Sequence, residues 1–135
     1  MPTSFIVAGG PAIVERRGQH SLLGVTHSAP SPTTTVVTAT GEIDYYNVGD
    51  FREHLGYAIS TSTRLVVVDL SRLTFLSISG LQAILDADDH ARSRRRVLRV
   101  VTGTRCVDRL LEVCCQDAEL EIARTIAAAC TRWPG

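Results

Sequence analysis

The sequence has no excess of charge of one sign and no long apolar run. Its 14 lysines and arginines balance 14 aspartates and glutamates over 135 residues. A nucleic-acid-binding domain of this size is usually strongly basic, so the balance argues against that class. No stretch approaches the roughly 18 to 20 apolar residues of a membrane span, and we therefore expect no membrane insertion.

The N-terminus lacks the basic start and long apolar stretch of a signal peptide, so we expect a cytoplasmic protein. Aromatic residues are scarce, at 5% of the chain, whereas aliphatic residues are abundant. A core of valine, leucine, isoleucine and alanine is typical of α/β domains. The length is that of one such domain.

The four cysteines lack metal-binding spacing. They are Cys106, Cys114, Cys115 and Cys130, with no C-x-x-C pair and no Cys/His ligand pattern, so no metal site is predicted. Reduced thiols that pack like small apolar side chains are the simplest interpretation. Neighbouring Cys114 and Cys115 cannot both face one side of a helix. A redox role for Cys106, Cys114 and Cys115 is therefore kept as an alternative.

Apolar periodicity predicts one α/β domain with a mixed sheet of four or five strands and about four helices. β-branched runs indicate strands, and apolar residues three or four positions apart indicate helices. The predicted strands are 21–26, 34–40, 65–68 and 97–101, and the predicted helices are 47–60, 79–94, one opening at 103–104, and 122–130. The predicted order also allows a fifth strand between the third and fourth helices. Residues 1–20 are predicted to be a flexible leader with a loose strand at 5–7, residues 21–131 the domain, and residues 132–135 a tail.

A strand is predicted to meet a helix in the stretch Thr-Phe-Leu-Ser-Ile-Ser-Gly-Leu at residues 74–81. Ser79 with Gln82 three positions later fits the S-x-x-Q capping box, which predicts Ser79 as the N-cap of the second helix. The free N–H groups and the dipole at such a helix start favour an anion. A serine at position 79 would also be explained by helix capping alone, with no further function.

Two separated motifs resemble the anti-sigma-factor antagonists of the STAS domain family. Residues 65–81, LVVVDLSRLTFLSISGL, are similar to the family's apolar strand followed by D-L-S-x-[VL]-x-F-[LM]-D-S-S-G-L. Residues 41–44, GEID, are similar to the family's G-E-[LI]-D before the first helix. Residues 97–111 resemble a later strand and helix. The resemblance covers about residues 21–123 in order and implies a single STAS-like domain.

The resemblance implies a non-catalytic regulator that binds a protein. Family members bind an anti-sigma factor, a kinase-like protein, and thereby release a sigma factor. The kinase phosphorylates a serine at the start of the second helix. The family's D-S-S-G falls on Ser77, Ile78, Ser79 and Gly80, so Ile78 replaces the acceptor serine and cannot be phosphorylated. Ser79 and Ser77 remain substitute candidates.

The resemblance also implies which residues contact the partner. We expect contacts from Asp44, Ser77, Ile78, Ser79 and Gly80. The carboxylate Asp69 and its neighbour Ser71 are expected to be mainly structural, since a carboxylate after a strand can cap the next turn. No cofactor is predicted, and whether the chain forms a homodimer is left open.

Other functions remain as alternatives. STAS domains also serve as cytosolic subunits of lipid-transport or anion-transport systems, and a thiol-regulated antagonist is a further alternative. An enzyme using Asp44, Asp69 and Ser79 is disfavoured, because no histidine motif and no G-x-S-x-G elbow accompanies them. His27 lies in the leader and edge region, just after the predicted strand 21–26, and His54 on a helix is expected to be solvated or partly buried.

A basic run invites one more interpretation. Five arginines lie between residues 92 and 99, which would suit a nucleic acid or an anionic membrane. No aromatic residue is interleaved with them, as single-stranded nucleic-acid binding usually requires. We therefore predict a solvated helix end followed by a turn.

Overall fold

The computed structural model describes residues 11–13, 22–62, 64–114 and 120–131. The strand predicted at residues 5–7, most of the predicted leader, the tail at 132–135 and Cys115 lie outside these ranges. Among the residues described, no helix is both long and apolar enough to cross a membrane.

The strands form one mixed sheet in which neighbours in sequence are neighbours in space. They are β1 (Pro11–Ile13), β2 (Leu23–Ser31), β3 (Thr34–Ile43), β4 (Leu65–Leu76), β5 (Val97–Val101) and β6 (Glu121–Ala123). The pairs β1–β2 and β2–β3 are antiparallel, and β3 to β6 are parallel. The predicted α/β class with a mixed sheet is confirmed.

Within the described ranges the sheet has six strands, one more than the predicted upper number of five, because the three-residue β1 adds to one edge. The three-residue β6 at the other edge is the fifth strand that the predicted order allowed before the last helix. Residues 11–13, which the prediction assigned to a flexible leader, form β1 and pair with residues 24–26 of β2. The last helix was predicted to begin at residue 122, and this start is wrong. Residues 121–123 pair with β5 as β6 before the chain turns into the last helix.

In the part of the chain that the structure describes, four helices accompany the sheet, in agreement with the prediction. They are α1 (Val48–Thr61), α2 (Ile78–Ser93), α3 (Arg105–Cys114) and α4 (Ile126–Thr131). The first two begin and end within one residue of the predicted bounds. The last begins only at Ile126, because the Thr125 hydroxyl accepts a hydrogen bond from the Ala128 N–H at 3.0 Å and so caps the helix there.

Apolar clusters lie on both faces of the sheet. Residues 65–70 of β4 are all buried, as the continuous apolar run of a central strand predicts. Side chains alternate across a strand, so Val66 and Val68 join the larger cluster with α1 and α2. Leu65 and Val67 join the smaller cluster with Ala129 of α4. The helices thus cover both faces of the parallel part of the sheet.

The arginine run is not simply a solvated helix end. Arg99 is buried on the face that α4 covers. Its Nε donates to Glu121 Oε1 at 2.9 Å, and its Nη1 donates to the Ala129 carbonyl at 2.6 Å. Arg96 donates to the Ser62 carbonyl at 2.8 Å. The prediction was wrong for Arg99 because position 99 alternates inward on β5, where the guanidinium joins β5 to β6 and α4.

Candidate functional site

Both sequence motifs meet at one edge of the sheet. The carboxyl ends of β3 and β4 lie side by side there, with Glu42 paired to Phe75 and Ile43 to Leu76. The Ser77 N–H donates to the Ile43 carbonyl at 2.9 Å. The turn before α1 and the start of α2 are therefore neighbours, although more than 30 residues separate them along the chain.

Asp44 holds the turn that leads into α1. Its Oδ1 accepts hydrogen bonds from the backbone N–H groups of Tyr46 and Asn47, both at 2.9 Å. The Asn47 side chain accepts from the Asp44 N–H at 2.9 Å and donates to the Glu42 carbonyl at 3.0 Å. One carboxylate oxygen is thus committed to the backbone. Asp44 therefore stabilises the turn before α1, and its contact with a partner stays a prediction.

Ser77, not Ser79, is the N-cap of α2. The Ser77 Oγ accepts from the Gly80 N–H at 3.0 Å, and the Ser79 hydroxyl lies 2.9 Å from the Ser77 hydroxyl. The predicted capping box is therefore wrong.

The Gln82 side chain does not take part in the cap. It donates to Asp86 Oδ1 at 2.9 Å, one turn further along the helix. This hydrogen bond, followed by the one from Arg52, lowers the pKa of the Asp86 carboxyl.

Gly80 allows α2 to start close to the strand ends. The residue is buried, and a Cβ there would lie 2.6 Å from Leu76 Cδ1 and 2.8 Å from Ile43 Cγ2. Gly80 was predicted as a partner contact. The structure places it beneath the helix start, where its lack of a side chain sets how deeply the first turn of α2 sits.

Large apolar side chains are exposed around this site. They are Leu22, Tyr45, Tyr46, Phe75 and Ile78, each between 46% and 76% exposed, and we call this set the apolar edge. The backbone brings them together, since the Glu42 N–H donates to the Leu22 carbonyl and Glu42 pairs with Phe75. Several large exposed apolar side chains on one part of a surface are more than the single scattered ones that need no explanation.

Only Ile78 of the apolar edge was singled out from the sequence. Tyr45 and Tyr46 lie between the GEID motif and α1, with their rings edge to face at 5.8 Å. Two adjacent aromatic residues in a turn, in a chain so poor in aromatics, were the signal that could have identified them. Phe75 carried no such signal, because it occupies an apolar position of the predicted strand motif.

The start of α3 supports the end of β4. Pairing of β4 with β5 stops at Asp69 and Val101, so the later residues of β4 need other partners. The Thr104 hydroxyl donates to the Leu73 carbonyl at 2.7 Å, and the Cys106 thiol donates to the Thr74 carbonyl at 3.0 Å. These side-chain contacts keep the strand in place up to Phe75, a member of the apolar edge.

The cysteines of α3 are both exposed but far apart. Cys106 lies in the first turn and Cys114 is the last residue of the helix. Eight residues of helix separate them by about 12 Å along the axis, too far for a disulfide between them. Cys115, the third predicted redox residue, lies outside the described part of the chain. A redox role remains a prediction.

Asp69 sits inside the sheet, away from the apolar edge. It is buried, and its Oδ1 accepts from the Ser71 N–H at 3.0 Å while Oδ2 accepts from the Thr38 hydroxyl at 3.4 Å. These contacts are those of a structural carboxylate. Within the described ranges, no group of three or more histidine, cysteine, aspartate or glutamate side chains is placed to hold a metal ion.

The fold and these motifs define a STAS domain. The sequence profile of that family matches residues 28–129, so the chain belongs to the STAS domain family. The resemblance noted in the motifs is thereby confirmed. No curated protein sequence matches the chain.

Solved structures of anti-sigma factor antagonists share this fold. The Bacillus antagonist SpoIIAA in its unphosphorylated form aligns with a TM-score of 0.64 and 17% identity, over 77% of this chain and 91% of its own. An antagonist from Mycobacterium paratuberculosis aligns with a TM-score of 0.68 and 20% identity, over 79% and 90%. The antagonist STAS domain from Rhodobacter sphaeroides aligns with a TM-score of 0.53 and 27% identity, over 60% and 87%.

The two serines of the site are expected to differ in their effect on stability. Ser77→Ala removes the N-cap of α2 and should lower the free energy of unfolding by about 1 kcal/mol. Ser79→Ala removes only a hydroxyl contact within the first turn and should change it by less than about 0.5 kcal/mol. Urea denaturation of the two variants provides the measurement. A larger loss of unfolding free energy for Ser79→Ala than for Ser77→Ala would show that Ser79 is the N-cap after all.

Proposed function

We propose that this chain is a non-catalytic regulator that binds a kinase-like anti-sigma factor and thereby frees a sigma factor. The observation that carries this is Ile78, which is 65% exposed at the first position of α2. Membership of the STAS domain family and the fold shared with anti-sigma factor antagonists support the proposal. The family match at residues 28–129 supports assigning the binding to the domain predicted at 21–131.

The contacts are proposed to come from the start of α2 and from the apolar edge. Covering Ile78 with a partner surface would contribute roughly 1–2 kcal/mol by removing its side chain from water. Tyr45 and Tyr46 add two tyrosines, a residue type enriched among the side chains that dominate interface energies. Asp44 and Gly80 contribute by setting the shape of the turn and of the helix start on which these side chains stand.

Phosphorylation is proposed not to interrupt this complex in the usual way. Ile78 stands where the family's acceptor serine would be, and it has no hydroxyl. Ser77 is committed to the Gly80 N–H as the helix cap, and Ser79 lies against it. A kinase that positions residue 78 for phosphorylation would therefore meet an isoleucine side chain, which cannot accept a phosphate. The hydroxyls on either side of it already have hydrogen-bond partners.

Affinity purification of the tagged chain from its native cytoplasm tests the proposal. Mass spectrometry of the bound proteins and of the chain itself should identify a kinase-like anti-sigma factor, with Ser77 and Ser79 unmodified. Recovery of a transport ATPase instead would assign the domain to a transport system and contradict the proposal. Phosphate on Ser77 or Ser79 would show that a substitute acceptor has restored the switch.

A further inference from the structure

Two buried histidines connect β2 to α1. His27 of β2 and His54 of α1 are both at most 1% exposed, and His27 Nε2 lies 2.7 Å from His54 Nδ1. Their ring centroids are 4.9 Å apart, and Tyr57 meets His27 edge-on at 5.4 Å. A hydrogen bond between two imidazoles requires one nitrogen to donate and the other to accept. The contact therefore exists only while at least one of these nitrogens carries no proton.

The position of this pair differs from the edge and solvated positions predicted from sequence. His27 follows Leu23 and Val25 at a spacing of two, and these residues are buried on the face that α1 covers. His54 lies three residues after Phe51 and next to Leu55, both in the same cluster. Both imidazoles thus occupy positions that apolar residues would normally fill.

The surroundings of the pair favour uncharged rings. Burial lowers the pKa of His27. Burial, followed by repulsion from His27, lowers the pKa of His54 to about 4 from its ordinary 6.5. From β3, the residue paired with His27 is the apolar Val37.

The neighbouring helices bring the following titratable groups. Tyr57 on α1 faces His27, and Asp50 and Glu53 are the carboxylates of α1 closest in sequence to His54. From α2, which packs beside α1, Asp86 forms a salt bridge with Arg52, whose Nη1 lies 2.9 Å from the Asp86 Oδ2. Asp88 of α2 is paired with Arg92 at 3.2 Å.

We propose that His27 and His54 form an acid-sensitive latch that holds β2 against α1. Two protons taken up from solvent would place a hydrogen on both facing nitrogens. The hydrogen bond would then be replaced by repulsion between two buried cations, and β2 would separate from α1. This latch is a property of the fold and does not rest on the proposed partner.

The direction of the pH effect follows from the lowered pKa values. Above pH 6.5, folded and unfolded chains both carry neutral rings, and the latch contributes fully. Below that pH the unfolded chain binds protons first, so the unfolding constant rises by about tenfold per pH unit for each ring held neutral. For His54 this rise continues until its folded pKa of about 4 is reached.

NMR and hydrogen exchange on the full chain test the latch. In a titration of the histidine ring signals, the pKa values of His27 and His54 should both lie below the ordinary 6.5. After correction for intrinsic exchange rates, amide protection in β2 and α1 should fall at least tenfold more than in β4 and β5 between pH 7 and pH 5. Ordinary titration of both rings, or an equal loss in all strands, would overturn the proposal.

A matched variant removes the titration but keeps the hydrogen bond. In His27→Gln/His54→Asn, the amide nitrogens and oxygens can occupy the positions of Nε2 and Nδ1 without binding protons in this range. The selective loss of protection in β2 and α1 should then disappear. His90→Gln is the control and should retain it. A double variant with the same acid response as the unaltered chain would show that other groups are responsible.

Discussion

Replacing Ile78 with aspartate is expected to lower the affinity for the proposed anti-sigma factor about thirtyfold or more. The change removes roughly 1–2 kcal/mol of apolar burial and leaves a carboxylate to be desolvated in the interface, at a cost of about 1–3 kcal/mol. Each 1.4 kcal/mol is about a tenfold change in affinity. The dissociation constant with the purified partner, from calorimetry or surface plasmon resonance, is the measurement.

The fold should tolerate this substitution, which separates binding from stability. Aspartate in the first turn of a helix is favoured by the helix dipole by about 0.3–1 kcal/mol. Val113→Asp is the matched control, since Val113 is 67% exposed against 65% for Ile78 but lies near the far end of α3. An equal loss of affinity in both variants, or none in Ile78→Asp, would remove the apolar edge from the binding site.

Gly41→Ala is expected to cost about 3 kcal/mol or more of folding free energy. Gly41 has φ of +88°, in the left-handed region, and a Cβ there would lie 1.7 Å from the Leu22 carbonyl oxygen. The conformation costs a non-glycine residue about 1–2 kcal/mol. Displacing Leu22 would also break the hydrogen bond from the Glu42 N–H at 3.3 Å, worth about 1 kcal/mol. Urea denaturation monitored by circular dichroism measures the loss.

Gly56→Ala is the control, and it is expected to raise the free energy of unfolding rather than lower it. Gly56 lies inside α1, and no atom would come within 4 Å of its Cβ. Because alanine is favoured over glycine inside a helix, the variant should gain about 0.5–1 kcal/mol. Similar losses for both variants would mean that backbone conformation and the contact with Leu22 are not what requires glycine at position 41.

Much of the fold could be predicted because its signals are local. The apolar run at residues 65–68 and the helical spacing after residue 47 each determine an element without reference to the rest of the chain. β1 could not be predicted in this way, and β6 was predicted only as an additional strand without bounds before the last helix. Strands of three residues show too little alternation to be distinguished, and they exist because an adjacent strand offers them hydrogen bonds.

The N-cap of α2 could not be identified from residue types alone. Ser77 and Ser79 are both acceptable caps by residue type, and Gln82 favoured Ser79. The hydrogen bond from the Ser77 N–H to the Ile43 carbonyl decides between them. It attaches Ser77 to the end of β3, so that its hydroxyl faces the Gly80 N–H.

Neighbours along the chain are enough to specify the α/β class, the order of the main elements and the position of Ile78 between two serines. The tertiary structure was needed to show that the GEID turn and the start of α2 share one edge. It also revealed the apolar edge, the buried Arg99 and the contact between His27 and His54. Each of these joins residues far apart in sequence, and the pairing of strands and the packing of helices bring them together.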